Sequence, residues 1–148
     1  MYTNILVATD GSALSGKAVE AACRLAAAVG AKITGFYAKP AFSAPVYAEG
    51  AAFGNMIGRA RFDEQSKAHA DEVLAQVRTE AKKSGVDAAL MSESSTEPYE
   101  AIIKAAQSSG CDLIVMASHG RRGIKRLLMG SETMQVLTHS HIPVLVLR

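Results

Sequence analysis

Gly120, Gly130 and Ser131, with four cations between the glycines, are the residues whose types and spacing point to chemistry. Glycines let a backbone approach a ligand closely or adopt φ > 0. Arg121, Arg122, Lys125 and Arg126 bring positive charge, and ordered contacts from them to phosphate would be charge-assisted. Ser131 opens a helix-compatible stretch, and the free N–H groups and dipole of a helix start favour anions. These are the parts needed to hold a polyphosphate; a solvated basic loop ending in a serine-capped helix has the same residues. Asp10, just past an apolar run, is a second candidate. Its carboxylate suits a ribose hydroxyl or, through Mg²⁺, a phosphate. Asp-Gly is also a common turn pair.

Other constellations are poorer. Gly11 to Ala18 nearly matches the phosphate-loop pattern G-x-x-x-x-G-K-[ST], but Ala18 stands where the Mg²⁺-binding hydroxyl belongs. A helix capped by Ser12, with Lys17 in solvent, accounts for the same residues. His69, His119, His139 and His141 have no metal-ligand spacing. Ser118-His119 is an adjacent pair, which is not triad geometry, and no G-x-S-x-G elbow occurs. Met116 and Met129 read as packing residues, although the backbone of Met116 suits the wall of an adenine pocket.

The elements that must position these residues alternate. Ile5–Ala8 reads as a buried strand ending in a turn at Thr9-Asp10-Gly11. A helix follows from Ser12, with Ala18, Ala22, Leu25, Ala26 and Val29 on one face and Gly30 as its stop. Lys32–Ala38 is a second strand. Lys39–Gly58, with two prolines and three glycines, reads as a long loop that moves when no ligand is bound. Arg59–Ser84 is a long helix with a stripe at Ala70, Val73, Leu74, Val77 and Ala81. Asp87–Glu93 is a third strand. Thr96-Glu97-Pro98 starts a third helix, which runs toward Gly110. Leu113–Ala117, Ser131–His139 and Pro143–Leu147 are a fourth strand, a last helix and a fifth strand. Apolar strands alternating with helices predict an α/β fold: a doubly wound five-stranded parallel sheet with helices on both faces. Ligands bind such sheets where the strand order reverses, beyond the carboxyl ends of the strands. The loops at Asp10 and Ala117 are the candidates for that crevice.

Bulk properties bound the function. A chain of 148 residues fits one domain, 1–148, able to bury about two-thirds of its unfolded surface. Sixteen Lys and Arg against fourteen Asp and Glu give a net charge of +2, too balanced to argue for nucleic acid. Cys23 and Cys111 form no C-x-x-C pair and read as buried thiols in a reducing compartment. No apolar run is long enough to span a bilayer, so a cytoplasmic location without membrane partners is expected.

The residues resemble the universal stress protein family over essentially the whole chain. The anchors are Asn4 to Ser12, Asp112 to Gly120, and Gly130-Ser131 followed by Ile142 to Val146. The nucleotide-binding branch of that family carries Gly-x2-Gly-x9-Gly-[Ser/Thr]; this chain reads Ala117-x2-Gly120-x9-Gly130-Ser131. A left-handed backbone at the first position would cost alanine about 1–2 kcal/mol, whereas a need for a small side chain alone would cost almost nothing.

The resemblance implies an adenine nucleotide alpha hydrolase-like fold that binds ATP with Mg²⁺. Thr9 and Asp10 would lie beside ribose and phosphates, with Asp10 reaching the metal only through ATP. Tyr37 or Ala38 would face adenine, and Met116 and Ala117 would contact adenine or ribose by backbone. His119, Gly120, Arg121, Gly130, Ser131, Glu132 and Thr133 complete the nucleotide site, Glu132 by its backbone N–H, because its carboxylate would repel phosphate. It also implies a homodimer through the last strand, 143–147, since an unpaired apolar edge invites a partner. The expected function is a regulatory stress-response protein that binds ATP and is at most a slow ATPase, as no general base is evident. The alternative is a dimeric interaction module with a vestigial pocket, favoured by Ala117 in place of the family glycine; other branches of the family lack the glycines and do not bind ATP.

Overall fold

The computed structural model describes residues 1–43, 51–120 and 129–148, the stretch 51–55 by its backbone alone. The elements run β1 (Asn4–Ala8), α1 (Ala13–Val29), β2 (Lys32–Pro40), α2 (Ala51–Lys83), β3 (Ala88–Ser95), α3 (Pro98–Ser108), β4 (Leu113–Ala117), α4 (Ser131–His139) and β5 (Val144–Leu147). All five strands are parallel, in the order β3-β2-β1-β4-β5. The chain steps outward from β1 through β2 to β3, then returns to the other side of β1 for β4 and β5. The reversal lies between β1 and β4.

Strand periodicity divides the core into two layers. Ile5 and Val7 of β1, with Leu113 and Val115 of β4, pack under α1 and α2. Leu6 and Ala8, with Ile114 and Met116, pack under α3 and α4. Both central strands are buried at every position, which is why their sequences are continuous apolar runs. The helix ends follow local chemistry. Ser12 accepts the Ser15 N–H at 3.2 Å, and Gly30 closes α1 in the left-handed region at φ 73°.

The expected loop across Lys39–Gly58 is corrected. Strand β2 continues to Pro40, and α2 begins at Ala51, eight residues before Arg59. Glycines inside a helix weaken it by only about 1 kcal/mol each relative to alanine, and context overrides that. Residues 44–50 of the span, and with them much of the expected motion, lie outside the described residues. Phe42 rests on Phe62 at 5.4 Å and beneath the Arg59 guanidinium at 5.9 Å, so contacts beyond the sheet support the first half of α2.

At the opposite end of the sheet Asp112 ties β4 to β1. It accepts the Thr3 N–H and hydroxyl, both at 2.8 Å, and the Asn4 N–H at 3.1 Å. Desolvation alone would raise its pKa, but the donors of Thr3 and Asn4 outweigh it and hold the carboxyl below its usual value. A depressed folded pKa contributes stability above the unfolded value, near 4, and loses it as the pH falls through the folded value. Asp112→Ala is therefore expected to lower Tm at neutral pH, by a gap that narrows as the pH is taken below 4. A gap that stays constant through the acid range would contradict this role.

Candidate functional site

Three segments meet beyond the carboxyl ends of β1 and β4. The turn after β1 brings Asp10, whose Oδ1 accepts the Ser12 N–H at 2.9 Å, and Gly11 turns the chain at φ 78°. The loop after β4 lies directly against it. A Cβ on Gly120 would collide with Oδ2 of Asp10, so the two loops touch where Gly120 has no side chain. The third segment is the start of α4. The Gly130 N–H donates to Ser118 O at 2.7 Å, and a Cβ on Gly130 would stand 3.1 Å from that oxygen and 3.3 Å from His119 Cα.

Both site glycines are explained by close approach. Gly130 has φ −60°, and neither it nor Gly120 is among the glycines at positive φ, so the conformational part of the sequence reading is corrected. Ala117 is also accounted for. It is the last residue of β4, paired with Leu147, in extended backbone that alanine adopts freely.

The first turn of α4 offers the anion-binding capacity. Its N-cap, Gly130, makes no side-chain cap bond. Among the described residues no hydrogen bond takes the N–H groups of Ser131, Glu132 or Thr133, the usual orphan donors of a helix start. The side chains beside them are already engaged. Thr133, buried, donates its hydroxyl to Ala117 O at 2.9 Å and Ser118 O at 3.2 Å. The Glu132 carboxylate accepts the Tyr99 N–H at 2.8 Å. Ser131 is exposed.

The remaining site residues divide between the faces. Tyr37 and Ala117 belong to the layer under α1 and α2. Ala38 and Met116 belong to the layer under α3 and α4. Consecutive strand residues point to opposite faces, so Tyr37 and Ala38, which follow the residue of β2 paired with the end of β1, flank that strand from two sides. Thr9 is buried; its hydroxyl pairs with Ser15 Oγ at 3.1 Å and its N–H donates to Phe36 O at 3.0 Å, fixing the turn. His119 is half-buried with Nδ1 3.2 Å from Ser118 Oγ, but Ser118 is buried and presents no nucleophile to solvent. Arg121, with Arg122, Lys125 and Arg126, lies outside the described residues.

The contact of His69, edge-on to Tyr37 at 5.7 Å, was not foreseen from the sequence. The signal was its place next to Ala70 at the head of the α2 stripe.

Several chemistries lose support. Helix α1 begins at Ala13, before Gly16, so Gly11–Ala18 does not form the long loop that wraps a phosphate. Both cysteines are buried. Burial, with a smaller contribution from Glu80, pushes the Cys23 thiol up to about 11, and Cys111 is also raised, chiefly by burial. Neither is a ready nucleophile at neutral pH. Among the described residues no three His, Cys, Asp or Glu side chains are grouped to hold a metal. A Mg²⁺ that arrives on ATP draws most of its ligands from phosphate and water, and a single carboxylate such as Asp10 fits that arrangement.

A doubly wound parallel sheet whose loops after β1 and β4 meet at its reversal point defines a class of small α/β proteins. Within that class the chain belongs to the universal stress protein family, whose model matches residues 1–148. The chain is 31% identical over its full length to universal stress protein MJ0531 of Methanocaldococcus jannaschii, covering 83% of that protein. It is 45% identical over 51 residues to MJ0577 of the same organism, 34% of this chain and 32% of that one. The MJ0577 fold superposes on 99% of this chain and 96% of its own with a TM-score of 0.82, at 24% identity. A universal stress protein solved in complex with cAMP gives a TM-score of 0.72 at 26% identity, covering 99% and 97% of the two chains. Among the described residues no helix is long and apolar enough to cross a membrane.

Proposed function

We propose that this chain is a regulatory nucleotide-binding protein of the stress response that takes ATP with Mg²⁺ in the crevice between β1, β4 and α4. One observation carries the reading. The amides of Ser131, Glu132 and Thr133 have no bonded partner among the described residues, at a helix start held within a Cβ's width of the β4 loop. The relative in complex with cAMP supports an adenine nucleotide as the occupant.

In this reading the phosphates lie on those amides and beside Gly120. Asp10 faces ribose and the ATP-borne Mg²⁺. The base lies just past the end of β1, beside Tyr37 and Ala38 of β2 and against the backbone of Met116 and Ala117. Thr9 and Thr133 shape the site through their buried hydroxyls. Arg121 adds charge to the triphosphate, and His119 lines the loop. Slow hydrolysis at most is part of this reading, since no general base is evident among the described residues of the site. Nucleotide extracted from protein purified without added ligand tests the assignment: adenine nucleotide recovered near one per chain supports it, and ligand-free protein that also fails to load argues against it.

The same reading includes a cytoplasmic homodimer paired through residues 143–147. Strand β5 is a sheet edge, and Leu145 on it is 42% exposed. Leu145→Glu is expected to turn a dimer into a monomer in sedimentation velocity. A variant that sediments as the wild type does would place the interface elsewhere. The rival reading, an interaction module with a vestigial pocket, takes its support from Ala117; the extended strand backbone there, which costs an alanine nothing, favours the nucleotide reading.

A further inference from the structure

Helix α3 begins without a cap of its own. Glu97 occupies the N-cap and makes no side-chain bond, and Pro98, in the first turn, has no N–H. The Tyr99 N–H would be an orphan donor. The acceptor comes from 33 residues away: Oε2 of Glu132, at 2.8 Å, in the first turn of α4. Helix α4 has nine residues and buries only Thr133 and Val136. A helix that short takes its order from tertiary contacts. Thr133 and Gly130 fix its first turn to the end of β4. Glu132 supplies the side-chain hydrogen bond from that turn to α3.

We propose that Glu132 is a positioning residue for the nucleotide site. Its carboxylate, by capping α3, sets the direction of the Ser131–Thr133 amides and so governs how tightly a phosphate tail is held. This rests on the nucleotide-binding reading. It also explains how a glutamate is tolerated beside an anion site. A free carboxylate in the first turn of α4 would oppose phosphate, whereas here its charge is directed to the positive end of another helix. The family resemblance alone assigned this residue only a backbone contact.

The test compares wild type with Glu132→Ala and Glu132→Gln by calorimetric titration with adenosine, AMP, ADP and ATP, with Mg²⁺ present. The alanine variant is expected to bind ADP and ATP about tenfold more weakly, with adenosine changed less than about twofold. The glutamine variant, whose side-chain oxygen accepts the same N–H, is expected to bind all four at least as well as wild type. Hydrogen exchange at the Tyr99 amide is expected to speed up in the alanine variant only, which shows that the bond is lost in a folded protein. The proposal is overturned if the alanine variant keeps its ATP affinity, loses adenosine and ATP equally, or is matched by the glutamine variant. Wild type that binds none of the four ligands would instead sink the nucleotide reading on which the proposal stands.

Discussion

Gly130→Val is expected to weaken ATP binding by at least about a hundredfold while leaving a folded protein. At φ −60° the backbone of Gly130 accepts a side chain, so the defect is spatial. The first carbon of that side chain already stands 3.1 Å from Ser118 O and 3.3 Å from His119 Cα, and both are main-chain atoms that cannot swing aside. The methyls of valine extend further. The junction can relax only by moving α4 away from the end of β4, which stretches the 2.7 Å bond from the Gly130 N–H and redirects the amides behind it. A hundredfold loss is about 2.7 kcal/mol, within reach of two or three misdirected contacts to a charged ligand. Gly120→Ala should do less, because the atoms it meets belong to the Asp10 side chain and not to the main chain. Fluorescence or calorimetric titration of both variants checks the order. Undiminished ATP binding by Gly130→Val would show that the junction is not the phosphate site.

The second large effect concerns stability. Gly35 lies in the middle of β2, where α2 packs directly on the strand. A Cβ there would meet Val77 Cγ1 at 2.8 Å and Leu90 Cδ2 at 3.0 Å, and Val77 is fully buried. Gly35→Val is expected to cost about 3 kcal/mol through overpacking. In a protein of this size that lowers Tm by roughly 6–12 °C. Thermal unfolding followed by circular dichroism measures it. A Tm within a degree or two of wild type would mean that α2 rides over β2 more loosely than these distances require. Gly35 could not be recognised beforehand, since a glycine inside an apolar strand looks the same whether it admits a helix or merely weakens the sheet.

What the sequence disclosed follows from how local each signal is. The runs Ile5–Ala8 and Leu113–Ala117 are buried on both faces, so their composition alone marks the centre of a parallel sheet. Ser12 and Gly30 act on atoms a few residues away, so the ends of α1 were legible. The start of α2 was not. Among the described side chains its buried positions begin at Ala70, and upstream of them Gly54 and Gly58 imitate a loop. In the site, the spacing of Gly120, Gly130 and Ser131 located the junction, but the expected φ > 0 at the glycines is not what they supply: a Cβ there would meet Asp10 or Ser118. The engagements of Glu132 with Tyr99 and of Thr133 with Ala117 and Ser118 join residues 15 to 33 apart. No spacing rule announces such bonds, which appear only once the fold brings the helix starts together.

The most direct measurement is a calorimetric titration of the well-folded protein with ATP and Mg²⁺. Heat that saturates near one nucleotide per chain is the predicted result, because the amides at the start of α4, without a partner among the described residues, offer an anion its donors. A flat trace at millimolar ATP would mean that those amides are served by water alone and that the crevice between β1 and β4 holds no nucleotide.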